Sequence, residues 1–451
     1  MAGSPVGRRR RYVLAAFVVL VAGLAAVVPL GGGAPRAQAC AFLRSPYAYE
    51  AEQSRLSYLA AIDAASLNLL FPTHPFFALP AIETGGRANR APGAARVPAT
   101  LLKSIGWIES TITMAQRSVV FESTGPSLVS FDCGHGIMQV TTGMTVPLGS
   151  NERPSVNQTA IATHYAYNIA RGAGILAEKW NEAPERRAIA GIDSNSDPTI
   201  VENWYFATWA YNGFTGPGAN YSNHPLDPSF GAFPRATYQC EGSQSRSRYP
   251  YQELVFGCMS SPPARNGTML WTPLAASLPN TTLPQWFGPL QLRNFVFPYS
   301  GMDMPTPQPA HIEAAPPIRP DLVARALGAP SMSVSAERVS VSVKGRPEDA
   351  RATVRVQNPG TGLLIWSALA DDKWLVIDPP AGVALGSDMP CRQDCARAGT
   401  ITITVNPTLL SSATAAGTIR LSSPNGGPEK VVRVEVDAAF EVGAPGVSRG
   451  D

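Results

Sequence analysis

The sequence predicts a multidomain protein in which a mainly α-helical domain is followed by a small all-β sandwich. From residue 98 onward, apolar residues recur at helical spacing and form one buried stripe, made of Leu101, Ile105, Ile108 and Ile112. After residue 331, apolar and polar residues alternate instead, which is typical of strands with one buried face. A proline-rich stretch between the two patterns predicts a linker.

These patterns divide the 451 residues into six segments. We expect a signal peptide (1–39), an N-terminal helical and Pro/Gly-rich segment (40–97), the mainly α domain (98–300), the linker (301–330), the β-sandwich (331–440) and a tail (441–451). In the N-terminal segment, the spacing of Leu56, Leu59 and Ile62 predicts a helix between Tyr47 and Leu70.

The first 39 residues read as an export signal. A basic cluster at residues 8–11 precedes an apolar run that ends near Leu30, and Ala37-Gln38-Ala39 provides a signal-peptidase pattern. The alternatives are an uncleaved membrane anchor, twin-arginine export and lipidation at Cys40. We therefore expect an exported protein, located outside the cell or in its envelope.

The basic charge of the chain belongs to this signal. Residues 1–39 hold five arginines and no acid, so the formal charge of +3 becomes −2 for the rest of the chain. Charge therefore gives no support for nucleic-acid binding.

Six cysteines in an exported chain predict disulfides. Cys240 with Cys258 and Cys391 with Cys395 are the natural local pairs, which leaves Cys40 and Cys133; free buried thiols are the alternative. None of the six has zinc-site spacing with the five histidines, so we predict no metal and no cofactor.

Glu109 is the first candidate catalytic residue. It directly follows Ile108 of the buried stripe, so it lies at the edge of an apolar face, where desolvation raises a carboxyl pKa. Cleavage of a glycosidic bond needs such a protonated acid beside the leaving oxygen. The alternative is a solvated glutamate that merely flanks a core helix.

Two further segments carry candidate binding residues. The first segment favours a tight turn where a substrate approaches the backbone, and it reads Cys133-Gly134-His135-Gly136-Ile137-Met138-Gln139. Gln139 is placed there to form a hydrogen bond with a sugar substituent. Ala210-Tyr211-Asn212-Gly213 suits a helix end, with Tyr211 orienting Glu109 and Asn212 binding sugar. An ordinary turn and an ordinary capped core helix are the alternatives.

Four segments of the chain, taken in order, resemble the soluble lytic transglycosylase family, a branch of the lysozyme-like fold related to goose-type lysozyme. They are Glu109-Ser110, Gly134 to Gln139, Asn168-Ile169-x-x-Gly172 and Ala210 to Gly213. The resemblance spans roughly residues 97–260. It implies a lysozyme-like fold, peptidoglycan glycan strands as substrate and Glu109 as catalytic acid and base. It also implies that the substrate is bound by Ser110, Gly136, Ile137, Met138, Gln139, Tyr211 and Asn212.

The resemblance further implies the type of reaction. In that family the glutamate protonates the bridging oxygen of the MurNAc-GlcNAc bond, and the 6-hydroxyl of the muramic acid closes an anhydro ring. A goose-type hydrolase remains open, with Asp132 or Glu122 holding water, as does a catalytically inactive glycan-binding envelope protein. We expect a monomer.

The β-sandwich resembles a bacterial carbohydrate-associated Ig-like module of the BACON type. This looser resemblance depends on three segments: Leu364-Ile365-Trp366-Ser367, Asp372-Lys373-Trp374-Leu375 and Thr402-Ile403-Thr404-Val405. It implies a spacer, or a glycan or envelope contact through Trp366 and Trp374.

Overall fold

The computed structural model describes residues 40–149, 153–215, 222–280, 303–343 and 350–438. All of them belong to one compact unit, Gln38–Asp451. The predicted signal peptide, the end of the predicted helical domain (281–300) and the tail after residue 440 lie outside the described residues.

Seven helices form the helical part of the described chain. They are α1 (Leu56–Ser66), α2 (Ala99–Ser110), α3 (Val156–Thr163), α4 (Tyr165–Arg186), α5 (Tyr205–Tyr211), α6 (Tyr251–Ser260) and α7 (Pro320–Leu327). Helices α3 and α4 are separate because His164 between them has extended backbone angles and its side chain accepts a hydrogen bond from the Ala166 amide.

Short strands accompany the helices. They are β1 (Tyr47–Glu50), β2 (Glu83–Thr84), β3 (Ala91–Pro92), β4 (Ser123–Pro126), β5 (Ala264–Arg265) and β6 (Thr268–Met269). β1 pairs antiparallel with β4, so the predicted helix over Tyr47–Leu70 is wrong for its first residues and begins only at Leu56.

Two sheets form a sandwich in the C-terminal part. Their strands are β7 (Ser333–Val334), β8 (Arg338–Val343), β9 (Arg351–Gln357), β10 (Leu363–Ala370), β11 (Leu375–Asp378), β12 (Ala381–Leu385), β13 (Gly399–Val405), β14 (Thr414–Ser422) and β15 (Lys430–Ala438). One sheet has the order β12-β10-β14-β15-β8 and the other β11-β13-β9-β7. All pairings are antiparallel except β15 with β8. The alternating apolar residues of β9, β13 and β15 point into the space between the sheets and are buried there.

The predicted fold class is wrong in its mainly α, lysozyme-like domain, whereas the β-sandwich expected after it is present. Among the described residues, helix makes up 24% and strand 23%, with several sheets, so this part of the chain is a mixed α and β structure. The helical periodicity identified individual helices correctly, but the stretches between them form irregular turns and short strands. The 22-residue helix α4 is the longest described, and the others have 7 to 12 residues.

The helical part and the sandwich pack directly on each other. One hydrophobic cluster contains Leu101 and Ile105 of α2 together with Leu363, Ile365 and Val383 of the sandwich. The Tyr49 hydroxyl donates to the Pro390 carbonyl at 2.8 Å. The proline-rich stretch predicted as a linker is also hydrogen-bonded to the helical part, where Glu313 accepts from the backbone and side chain of Thr100.

Three disulfides are present: Cys40–Cys133, Cys240–Cys258 and Cys391–Cys395. They confirm the predicted pairs and indicate an oxidising, exported environment. Because the Cys40 sulfur is bonded to Cys133, it is not free to carry a lipid in this form. None of the helices in the described residues is long and apolar enough to span a membrane.

Candidate active site

Glu109 lies in the last turn of α2. The stripe predicted from the sequence is buried, since Leu101, Ile105 and Ile112 are fully inaccessible to solvent and Ile108 is nearly so. The helix ends one residue later because Thr111 adopts a left-handed φ of 60°. Glu109 itself is only partly buried, so it lies between the core and solvent as the sequence predicts.

The Glu109 side chain lines a cavity of about 150 Å³, which we call the Glu109 cavity. Its walls come from the end of α2, from the chain that follows it, from the turn near Gln139 and from a distant loop. The other lining residues are Ser110, Thr111, Thr113, Arg117, Leu128, Ser130, Gln139 and Arg246.

The surroundings of Glu109 keep its proton available near neutral pH. Burial raises the pKa of Glu109 to about 7, and the charge of Asp132 acts in the same direction. The Tyr251 hydroxyl donates a 2.5 Å hydrogen bond to Glu109 Oε1, which with the charge of Arg246 lowers the pKa and limits the rise. The carboxyl can therefore both give up and regain a proton at physiological pH.

The predicted turn packs beside Glu109. Ser110 Oγ donates to the Ile137 carbonyl at 2.8 Å and so joins the end of α2 to the turn. Gly136 has a φ of 66°, and a Cβ there would lie 2.7 Å from Asn168 Nδ2. Only glycine fits this position.

Helix α4 holds the turn from behind. Asn168 Oδ1 accepts from the Met138 amide at 2.9 Å, while its Nδ2 donates to the His135 carbonyl at 2.7 Å. A Cβ on Gly172 would lie 2.5 Å from the Met138 side chain, so this glycine lets Met138 pack against the helix. The residues that carry the family resemblance thus form one contiguous structure.

The predicted binding residues occupy different positions relative to the cavity. Ser110 and Gln139 line it, and Gln139 Nε2 donates to the Gly136 carbonyl at 2.8 Å. The side chains of Ile137 and Met138 are fully buried, so they support the turn and leave any substrate contact there to the backbone.

Tyr211 has a different partner from the one we expected. Its hydroxyl donates to the Met138 carbonyl at 2.8 Å, so it fixes the turn, and Tyr251 bonds Glu109 in its place. Asn212 is exposed and bonds Asn223 through its side chain at 3.3 Å; it does not line the Glu109 cavity.

Tyr251, Arg246 and Arg117 were not predicted from the sequence, although all three lie at Glu109 or in the wall of its cavity. Tyr251 begins α6, directly after Pro250, which marks a helix start but says nothing of a site. Arg246 Nη2 donates to the Ile108 carbonyl at 2.5 Å and so connects the long loop before α6 to the end of α2.

The two carboxylates considered as water holders differ in their placement. Asp132 is exposed, its charge raises the pKa of Glu109, and its Oδ1 accepts from the cavity-lining Ser130 hydroxyl at 2.5 Å. Glu122 does not line the cavity, and its backbone bonds Glu50 and Arg392. Only Asp132 is therefore placed to act with Glu109.

The two tryptophans predicted to contact a glycan lie in the sandwich and differ in exposure. Trp366 is 1% exposed and packs inside the sandwich, so it cannot stack on a sugar, while Trp374 is partly buried. Among the residues that the structure describes, no group of three or more His, Cys, Asp or Glu is arranged to hold a metal ion.

No protein-family model matches this chain, and no curated protein matches it. Solved structures with partial similarity include the periplasmic chaperone SfaE at 12% identity, 26% of this chain and a TM-score of 0.20. The E. coli chaperone DraB matches at 12% identity, 24% of this chain and a TM-score of 0.20. PapD-like domain 7 of human CEP192 matches at 9% identity over 29% of this chain and 97% of that domain, with a TM-score of 0.19. The chain spans 61% of the SfaE chain and 55% of the DraB chain.

Proposed function

We propose that the protein is a peptidoglycan lytic transglycosylase that cleaves the β-1,4 bond between MurNAc and GlcNAc outside the cell or in the envelope. One observation carries the proposal. Glu109 is a partly buried acid with a pKa of about 7, bonded by Tyr251, and the one carboxyl among the described residues that line the cavity. The substrate class, glycan strands, comes from the resemblance of the segments around Glu109 to the soluble lytic transglycosylase family.

The proposed reaction uses Glu109 twice. The protonated carboxyl first gives its proton to the bridging oxygen while the C1–O bond of the muramic acid breaks. The resulting carboxylate then takes the proton from the 6-hydroxyl of the same sugar as O6 bonds to C1. This returns Glu109 to its protonated form and leaves a 1,6-anhydro end, with no water consumed.

Tyr251 suits this cycle because its hydroxyl donates to the carboxylate that exists between the two proton transfers. A pKa near 7 leaves Glu109 protonated often enough to act as an acid in the first transfer and, once ionised, able to act as a base in the second. The attacking hydroxyl is part of the substrate, so its effective concentration is high and no second carboxylate is needed.

Digestion of purified peptidoglycan in heavy-oxygen water, followed by mass spectrometry, tests the proposal. We expect anhydro-muropeptides without label, and no product from the Glu109→Gln variant. Intact peptidoglycan after exposure to wild-type enzyme would contradict the proposal and favour an inactive glycan-binding protein.

A goose-type hydrolase is the second candidate, and the position of Asp132 favours it. Its charge reaches Glu109, and it is exposed beside the cavity wall. Inverting hydrolases hold water with a second carboxylate roughly 6.5–9.5 Å from the acid. Label at the new sugar ends, lost in Asp132→Asn, would establish hydrolysis in place of transglycosylation.

A further inference from the structure

A second cavity, of about 670 Å³, lies between the start of the described chain and the sandwich. We call it the Arg44 cavity. Apolar residues make up most of its wall: Ala41, Phe42, Leu43, Val146, Pro147, Pro154, Ala368, Leu369, Ile377, Pro380 and Ala381. Its volume falls within the range of small-molecule sites, about 300–1,000 Å³.

Hydrogen bonds and a disulfide fix the segments that form the walls of this cavity. The Ala41 amide donates to the Met144 carbonyl at 2.9 Å, and the Cys40–Cys133 disulfide adjoins this segment. Arg44 Nη1 donates to the Ile377 carbonyl of β11 at 3.2 Å, which connects the segment to the sandwich.

The charged residues that the structure places in the wall of this cavity are both arginines. Arg44 and Arg153 line it, together with three hydroxyl residues, and no acidic residue is among the lining residues. In the described part of the chain, neither arginine forms an ion pair. An anionic group is therefore the complement of this wall.

The apolar part of the wall extends into solvent. Leu43 is 96% exposed and Val146 is 50% exposed, next to the cavity interior that both residues line. Exposed apolar side chains beside arginines are typical of surfaces that lie on a membrane.

We propose that the Arg44 cavity takes an acyl chain of an anionic phospholipid and docks the protein on a membrane surface. Arg44 and Arg153 bind the headgroup phosphate, and Leu43 and Val146 enter the acyl region of the same leaflet. A soluble fatty acid would leave Leu43 in water, so a bilayer fits the exposed residues better. This inference does not depend on the activity of Glu109.

Flotation with lipid vesicles tests the proposal. The chain from Cys40 onward is the right form, because it holds all three disulfides and both hydrophobic clusters but not the apolar run of the signal, which would itself bind lipid. We expect binding to phosphatidylglycerol vesicles that weakens with salt, and little binding to phosphatidylcholine vesicles.

Three variants sharpen the test. Arg44→Gln with Arg153→Gln should weaken binding about tenfold or more, and Leu43→Ser should weaken it about threefold to tenfold. Arg338→Gln with Arg433→Gln, on exposed strands outside the cavity, removes the same charge and should leave binding unchanged.

Equal binding to both vesicle types, or equal loss in the two arginine pairs, would overturn the proposal. So would binding of a free fatty acid without vesicle binding, or self-association that disappears in Leu43→Ser.

Discussion

Glu109 and Glu50 are two glutamates whose pKa is raised by burial, yet their surroundings differ. Glu50 is 1% exposed, and its Oε2 accepts from the Met114 and Ala115 amides at 2.9 and 3.0 Å. Its Oε1 accepts from Arg55 at 2.8 Å. Glu109 has one described side-chain donor, Tyr251, and faces a cavity.

The difference separates a carboxylate that is fully bonded within the protein from one that is placed to meet a ligand. Each oxygen of Glu50 is bonded within the protein, so its charge helps to hold β1 and the start of α1 against the chain after α2. Glu109 keeps an oxygen available for a ligand. A raised pKa indicates function only where the group also has access to substrate.

The largest expected effect concerns the rate of cleavage. Glu109→Gln keeps the shape of the side chain but cannot act as an acid, so the turnover rate should fall by about 10²–10⁴. The melting curve should show a folded protein. Wild-type turnover by this variant, measured by turbidity loss of a peptidoglycan suspension, would remove Glu109 from the chemistry.

Glu50→Gln should act on stability instead. It leaves Arg55, whose side chain is 4% exposed, without its anionic partner, and breaking a buried pair costs about 3–5 kcal/mol. Denaturant unfolding measures the loss, and turnover per folded molecule should stay near the wild-type value. A catalytic loss with unchanged stability would reverse the roles of the two glutamates.

The stability of the protein should depend on pH through Glu109. Its pKa rises from 4.5 to about 7 on folding, so its contribution is fully present below about pH 4.5 and is lost as the pH rises through 7. At pH 8, Glu109→Gln should therefore be more stable than wild type by about 1–3 kcal/mol, allowing for partial exposure.

The free energies of unfolding of the wild type and of Glu109→Gln should become equal near pH 4.5. Unfolding curves at several pH values measure the difference. Equal stability at pH 8 would show that Glu109 is well solvated in the folded protein.

Tyr251→Phe should give the smallest effect. Cleavage should slow as the pH rises through about 7, because Glu109 must be protonated. Loss of the tyrosine hydrogen bond raises the pKa of Glu109, so the basic limb of the rate profile should move to higher pH. The maximal rate should fall by about 3–10-fold. An unmoved limb would mean that Tyr251 acts only by packing.

The sequence predicts the local part of the site well. Helical spacing gives α2 and places Glu109 at the edge of its apolar face, and the structure has it there. The hydrogen-bond partner of Glu109 could not be predicted from helical spacing, because Tyr251 comes 142 residues later and no local pattern links the two residues.

The strand at Tyr47–Glu50 shows why the fold class was wrong. The predicted helix extends the pattern that begins at Leu56 back to Tyr47, but four residues are too few for periodicity to separate helix from strand. Pairing with β4, more than 70 residues away, makes them a strand. Periodicity identifies elements with an amphipathic face, but it does not detect strands that are defined by a distant partner.

The Cys40–Cys133 disulfide closes a 93-residue loop and connects the first described residue to the turn beside Glu109. Closing a loop of this length contributes about 4–5 kcal/mol in the chain-entropy account. This bond does not form in a reducing cytoplasm. The chain therefore lacks this contribution until it meets an oxidising environment. Once formed, the bond ties the turn beside Glu109 to the segment that contains Cys40.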